Sequence, residues 1–151
     1  MATAKRTRAT KRTRIPKRAG AHAGGCLCGV IRYAARGKPR HVGNCHCTQC
    51  RKSSGAPFLT FAGFASSDVK FTKGRPRFFR SSAWAARGFC AKCGTSLVYK
   101  LVRDASQIWL SVGSMDRPER LAPKTHIFTT TMVPWLKFRD DLPRHKAYPP
   151  S

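Results

Sequence analysis

The seven cysteines of this chain fall into three tight clusters, Cys26-x-Cys28, Cys45-x-Cys47-x-x-Cys50 and Cys90-x-x-Cys93, with none left over. An odd count leaves at least one thiol outside any disulfide set, and gaps of one and two residues suit chelation of an ion better than mutual bridging. Four of the thiolates would close a tetrahedral structural zinc site, and the other three would hold a second zinc with one position open to water or substrate. No apolar segment of the secretory kind lies in the first twenty residues, so the cysteines are expected in a reducing compartment, the cytoplasm.

With 151 residues the chain is about one domain long. It has no apolar run near the ~20 residues of a membrane helix. Its charge is uneven. Thirty Lys and Arg face six acidic residues, and residues 1–20 carry eight of the basic side chains and no acid, which leaves a formal +16 on the rest. Residues 1–21 are expected to form a disordered tail, because Ile15 is the one large apolar side chain after Met1 and too little surface could be buried to offset ordering. The tail repeats itself as Ala4-Lys-Arg-Thr-Arg and Thr10-Lys-Arg-Thr-Arg. Such a segment binds polyanions by counterion release without reading sequence. A solvated extension and an organelle-targeting peptide are the competing readings.

Residues 22–151 read as one all-β domain. In Val30–Ala35, Ile31 and Tyr33 alternate with Arg32; Phe78 and Phe79 lie in Arg77–Arg80 after a Gly-Pro turn. Ser96–Val102 sets Leu97, Tyr99 and Leu101 on one face, and Gln107–Val112 does the same with Ile108, Leu110 and Val112. Period-two alternation of this length predicts half-buried strands. Only Thr48–Ser54 suggests a helical turn. A modest β core benefits from a metal staple, since binding to a site present only in the fold adds to folding free energy. Cys26 and Cys28 lie beside one strand, and Cys90 and Cys93 stand just before Ser96–Val102, so one ion held by these four would pin distant sheet edges together. Gly94 permits the tight turn that aims backbone N–H groups at thiolate sulfur.

In the middle cluster Cys45 and Cys47 project to one side of an extended segment, and a turn at Thr48-Gln49 brings Cys50 round. A thiol bound in the open position would be deprotonated, which points to activation of a sulfur-containing substrate. Closure of the site by a histidine, as Cys₃His, is the alternative. His46 points away from its neighbouring cysteines, and His126 has apolar surroundings that suit a hydrogen-bonded structural residue. His22, His41 and His145 are expected at the surface.

Three segments together closely resemble the glutathione-dependent formaldehyde-activating enzymes, whose domain also occurs in centromere protein V. They are Gly24-Gly-Cys-Leu-Cys-Gly-Val-Ile-Arg-Tyr33, Cys45-His-Cys-Thr-Gln-Cys-Arg-Lys-Ser-Ser-Gly-Ala-Pro57 and Arg87-Gly-Phe-Cys-Ala-Lys-Cys-Gly-Thr-Ser-Leu97. Pro123–Phe128, Pro134-Trp135 and Asp141-Leu-Pro143 are similar to that family's C-terminal pattern, so the resemblance runs from about Gly24 to Pro143. It implies a zinc-stapled β-tent fold, a structural zinc on Cys26, Cys28, Cys90 and Cys93, and a second, glutathione-proximal zinc on Cys45, Cys47 and Cys50, the catalytic positions. The activity it implies is carbon–sulfur lyase chemistry, run in the direction that joins glutathione to formaldehyde or a related small carbonyl as S-hydroxymethylglutathione. The basic core suits anionic glutathione: Arg51, Lys52 and Arg87 beside the motifs could pair with its carboxylates, and Ser53, Ser54 and Gly55 could donate to it. The alternative is a zinc-stapled module without chemistry, tethered to nucleic acid by its tail. A methionine sulfoxide reductase is set aside, because it needs a redox cysteine on a late strand and none follows Cys93.

Overall fold

The alternating segments pair into two sheets in the computed structural model, which describes residues 21–149. Strands β1 (His22–Gly25), β2 (Arg32–Ala35) and β5 (Val69–Lys73) form a small antiparallel sheet in the order β1-β2-β5. A second sheet contains β3 (His41–Cys45), β4 (Leu59–Ala65), β6 (Arg77–Arg80), β7 (Ala85–Phe89), β8 (Ser96–Leu101), β9 (Gln107–Ser111), β10 (His126–Ile127) and β11 (Arg144–His145). Its order is β11-β10-β3-β4-β9-β8-β7-β6. All its ladders are antiparallel except at one edge, where β10 runs parallel to both β3 and β11.

The all-β expectation holds. The four segments read as strands are β2, β6, β8 and β9, with ends shifted by at most two residues, and Thr48–Ser54 is α1, the one α-helix among the described residues. The expected tail lies outside the described residues except for Ala21, and the first strand starts at His22.

The two faces of the large sheet do different things. On one, Phe64, Val98 and Leu110 meet Tyr33 and Ala35 of the small sheet and Ile31 just before β2, each at most 3% exposed. This is the main core, and area removed from water here is the chief stabilising term, about 25 cal/mol per Å² of apolar surface. The Tyr33 hydroxyl finds Ser114 Oγ at 2.7 Å, as a buried phenol must. On the other face, Phe61, Tyr99 and Trp109 form a second cluster with the middle cysteines.

Two expectations about faces are corrected. Leu97, Tyr99 and Leu101 do not share a face: the pairing of β7 with β8 shifts register between Gly88 and Phe89, so Leu97 is the extra residue of a bulge. Leu97 packs in the main core beside Val98, while Tyr99 turns to the second cluster. Strand β6 is not half-buried; all four of its residues are exposed, because it is an edge strand that pairs with β7 alone.

Candidate functional site

The outer cysteine clusters sit in two loops, one joining β1 to β2 and the other joining β7 to β8. Both loops fold alike. Gly29 N–H donates to Cys26 O at 3.0 Å and Gly94 N–H to Cys90 O at 2.8 Å, with both glycines left-handed at φ +72° and +75°. Ile31 N–H donates to Cys26 Sγ at 3.3 Å, the amide-to-sulfur contact expected of such a turn. Cys26 Sγ lies 3.6 Å from Cys28 Sγ, which lies 3.8 Å from Cys90 Sγ. Zn–S bonds of about 2.3 Å in a tetrahedron place sulfurs about 3.8 Å apart, so this donor set has the dimensions of a zinc site. Cys93 completes the group, all four sulfurs lying within 4.8 Å of one another. The site therefore joins the small sheet to the large one. Leu27 N–H reinforces the junction by donating to Thr95 Oγ1 at 3.1 Å.

The second group is Cys45, Cys47 and Cys50, also within 4.8 Å of one another. Cys45 ends β3. Cys47 is the N-cap of α1, its sulfur accepting from Cys50 N–H at 3.3 Å, which places Cys50 in the first turn and buries it. Gly55, left-handed at φ +68°, ends the helix. The neighbouring thiols Cys45 and Cys50 hold the Cys47 thiol well below its ordinary range, with Arg87 adding to the effect, and Cys47 and Cys50 in turn push Cys45 up. Three sulfurs sharing their protons in this way suit a cation, to which they bind as thiolates. No histidine nitrogen joins the group among the described residues, so closure as Cys₃His is not formed.

Arg87 is the charged neighbour. It is buried on β7, with Nη1 and Nη2 at 3.7 and 3.6 Å from Cys50 Sγ, Nη1 at 3.4 Å from Ser53 Oγ, and its guanidinium 5.2 Å from the Tyr99 ring centre. Three thiolates and a divalent ion carry −1, which one arginine neutralises. The other expected ligand-contacting residues lie elsewhere. Lys52 is exposed, Arg51 is half-buried, and Ser54 Oγ is occupied at the end of α1, donating to Cys50 O at 2.8 Å and accepting from Ala56 N–H at 3.3 Å. None of the three lines the cavity onto which the cysteines open.

That cavity has a volume of about 780 Å³. Cys45 and Cys50 are buried at its inner end, and Trp84 and Tyr148, 62% and 61% exposed, stand at its mouth. Between them its walls are Phe61, Tyr99, Trp109 and Phe128. Trp109 lies flat over Gly63, where an added Cβ would come within 2.8 Å of the ring. Phe128 has φ +57°, a left-handed conformation that costs a non-glycine residue on the order of 1 kcal/mol and turns the chain sharply after β10.

The histidines differ from expectation. His22, His41 and His145 are half-buried rather than at the surface: His22 packs on Phe64, and His41 lines the cavity with Nε2 2.8 Å from Thr125 Oγ1. Burial, helped by Lys124 and His145, lowers the His41 pKa, so it is neutral at pH 7. His46 and His126 are fully buried and joined, Nε2 to Nδ1 at 2.8 Å, and His126 Nε2 continues to Asp140 Oδ2 at 3.1 Å. Burial pushes His46 down to about 4, so it enters this chain neutral. The sequence reading missed Asp140 and the cavity's aromatic walls. The apolar run Ile108–Val112 carried a signal for the latter, because Trp109 within it must fill a second buried face.

Residues 21–131 match the glutathione-dependent formaldehyde-activating enzyme family. A Schizosaccharomyces pombe protein named as an uncharacterized lyase is 33% identical over 76 residues, which make up 50% of this chain and 55% of that protein. The chain thus matches little more than half the length of this relative. A crystal structure of a Rhodobacter sphaeroides protein has a similar fold at 17% identity, with a TM-score of 0.51 over 81% of this chain and 98% of that one. With the family match covering most of its length, the chain belongs to the glutathione-dependent formaldehyde-activating enzyme family.

Proposed function

We propose that the protein is a zinc-dependent carbon–sulfur lyase that joins a thiol, glutathione, to formaldehyde or a related small carbonyl and reverses the reaction. The observation that carries this reading is the group of three cysteine sulfurs opening onto a cavity, with Arg87 against Cys50. Zinc held by Cys45, Cys47 and Cys50 would supply an electrophilic centre that keeps a fourth thiol in its anionic form at neutral pH.

The chain's own residues then have distinct tasks. Cys45, Cys47 and Cys50 anchor the sulfur end of the substrate at the inner end of the cavity. Arg87 balances the charge of the thiolates and, as the one Lys or Arg side chain lining the cavity, would be the protein cation on hand for a carbonyl oxygen gaining negative charge. The thiol gives its proton to water on becoming a thiolate. In the addition the thiolate sulfur attacks the carbonyl carbon, a C–S bond forms, and the carbonyl π pair moves to oxygen, which takes a proton back from water. The lyase direction returns that proton and breaks the C–S bond. Cys26, Cys28, Cys90 and Cys93 are reserved for a structural zinc, and the free thiols suit a reducing cytoplasm.

Zinc per chain, measured by elemental analysis with and without glutathione, tests the reading. Two zincs, or a second whose occupancy responds to glutathione, support it; one zinc indifferent to glutathione overturns it. The second reading, a module carried to nucleic acid by residues 1–21, is favoured by the formal charge of +24 and is compatible with the first.

A further inference from the structure

We propose that the carbon half of the substrate is a bulky apolar group of aromatic size, and that formaldehyde is a poor fit to this particular cavity. The proposal rests on the thiol-lyase part of the reading above, keeping its three-cysteine site and carbon–sulfur chemistry, and replaces the small carbonyl named there by a carbonyl bearing an aromatic group.

Glutathione carries two carboxylates and an ammonium at neutral pH. Each would need a partner inside the protein, since a buried unpaired charge is strongly unfavourable. The cavity offers neutral polar groups, Thr48, Gln49, Gln107 and Thr131, but little charge to meet them. Arg87 is the one Lys or Arg side chain among its lining residues, and its guanidinium is committed to Cys50 and Ser53 beneath the Tyr99 ring. His41 is held by Thr125. A peptide half anchored by its sulfur at the cysteines therefore extends through the mouth towards the basic surface. What remains for the walls is the group on the other side of the sulfur. A hydroxymethyl group covers little of this aromatic wall and occupies a small part of a space of about 780 Å³. A phenyl-sized group would pack against Phe61, Tyr99, Trp109 and Phe128, with the exposed Trp84 beside it at the mouth. The volume is kept open by design of the sheet: Gly63 lets the Trp109 ring lie flat against the strand instead of standing into the cavity.

The experiment uses calorimetric titration of the zinc-loaded full chain with glutathione, S-methylglutathione and S-benzylglutathione, the last two being stable thioethers that differ in the carbon half alone. The expected result is S-benzylglutathione binding on the order of tenfold or more tighter than S-methylglutathione, the increment that burial of one ring supplies. Trp84→Ala should reduce that difference by about threefold to tenfold, the worth of an aromatic contact, with two zincs per chain retained. Trp84 is largely exposed, so its truncation opens no hole in the core. Equal affinity for the two thioethers, with glutathione still bound, overturns the aromatic assignment and leaves the thiol-lyase reading standing. A benzyl preference that Trp84→Ala leaves untouched also overturns it, because the ring is then held elsewhere. Binding of none of the three, glutathione included, overturns both.

Discussion

Arg87 is a buried cation whose formal partner is a sulfur cluster and not a carboxylate. Arg87→Lys keeps the charge but loses the fork that reaches Cys50 with two nitrogens. Groups that support metal ligands in this way are worth about 10- to 100-fold in metal affinity or activity, so we expect a loss of that size for the zinc at Cys45, Cys47 and Cys50, measured by competition with a chelator. The zinc at the four-cysteine site should be retained. His126 offers a second test. Its ring holds both His46 and Asp140, and His126→Ala leaves His46 buried with neither ring nitrogen paired. Loss of about 2 kcal/mol is expected, seen as a fall in Tm of about 4–8 °C. Unchanged melting would mean that water replaces the ring.

The two cysteine groups divide the work between strand ends and helix. The three sulfurs of the middle group come from β3, the N-cap and first turn of α1, which hold their shape through β3's pairing with β4 and through the cap itself. Cys50→Ala should therefore give one zinc per chain and a near-normal circular dichroism spectrum, whereas Cys90→Ala should abolish cooperative melting, because the loop between β7 and β8 then lets go of the small sheet. On β4, Gly63→Ala should displace Trp109 and shrink the cavity, with weaker thioether binding and an altered tryptophan emission spectrum. The strands were legible in the sequence wherever one face is apolar, as at Ile31 and Tyr33, and the cysteine groups were legible from spacing alone. The cavity was not. The bulge at Leu97 moves Tyr99 onto the opposite face from the one alternation gives it, and period two cannot register an inserted residue. Arg87 was marked by its place beside the last cysteine motif, but its contact with Cys50, 37 positions away, was not. His46 and His126 are 80 positions apart, brought together by the parallel pairing of β3 with β10, which no local signal encodes.

Taken as one body, the protein is a zinc-dimensioned β domain with a large positive charge, and charge acts at longer range than any of its pockets. Residues 1–20 carry eight basic side chains. If these make the main contact with duplex DNA, deletion of residues 1–21 should flatten the slope of log affinity against log salt by up to about 7. An unchanged slope would assign binding to the folded part. Membrane insertion by a helix is not a competing explanation among the described residues, since no helix there is long and apolar enough to cross. The four-cysteine junction also sets a timetable. Cys28 and Cys90 are 62 positions apart, so on a growing chain the first pair of thiols emerges long before its mates exist. The middle three are complete within six residues and can capture an ion first. The three-cysteine group is thus complete before the four-cysteine one, and if both hold zinc, scarcity of the ion during synthesis would leave the two sheets unjoined while the triad could still be filled.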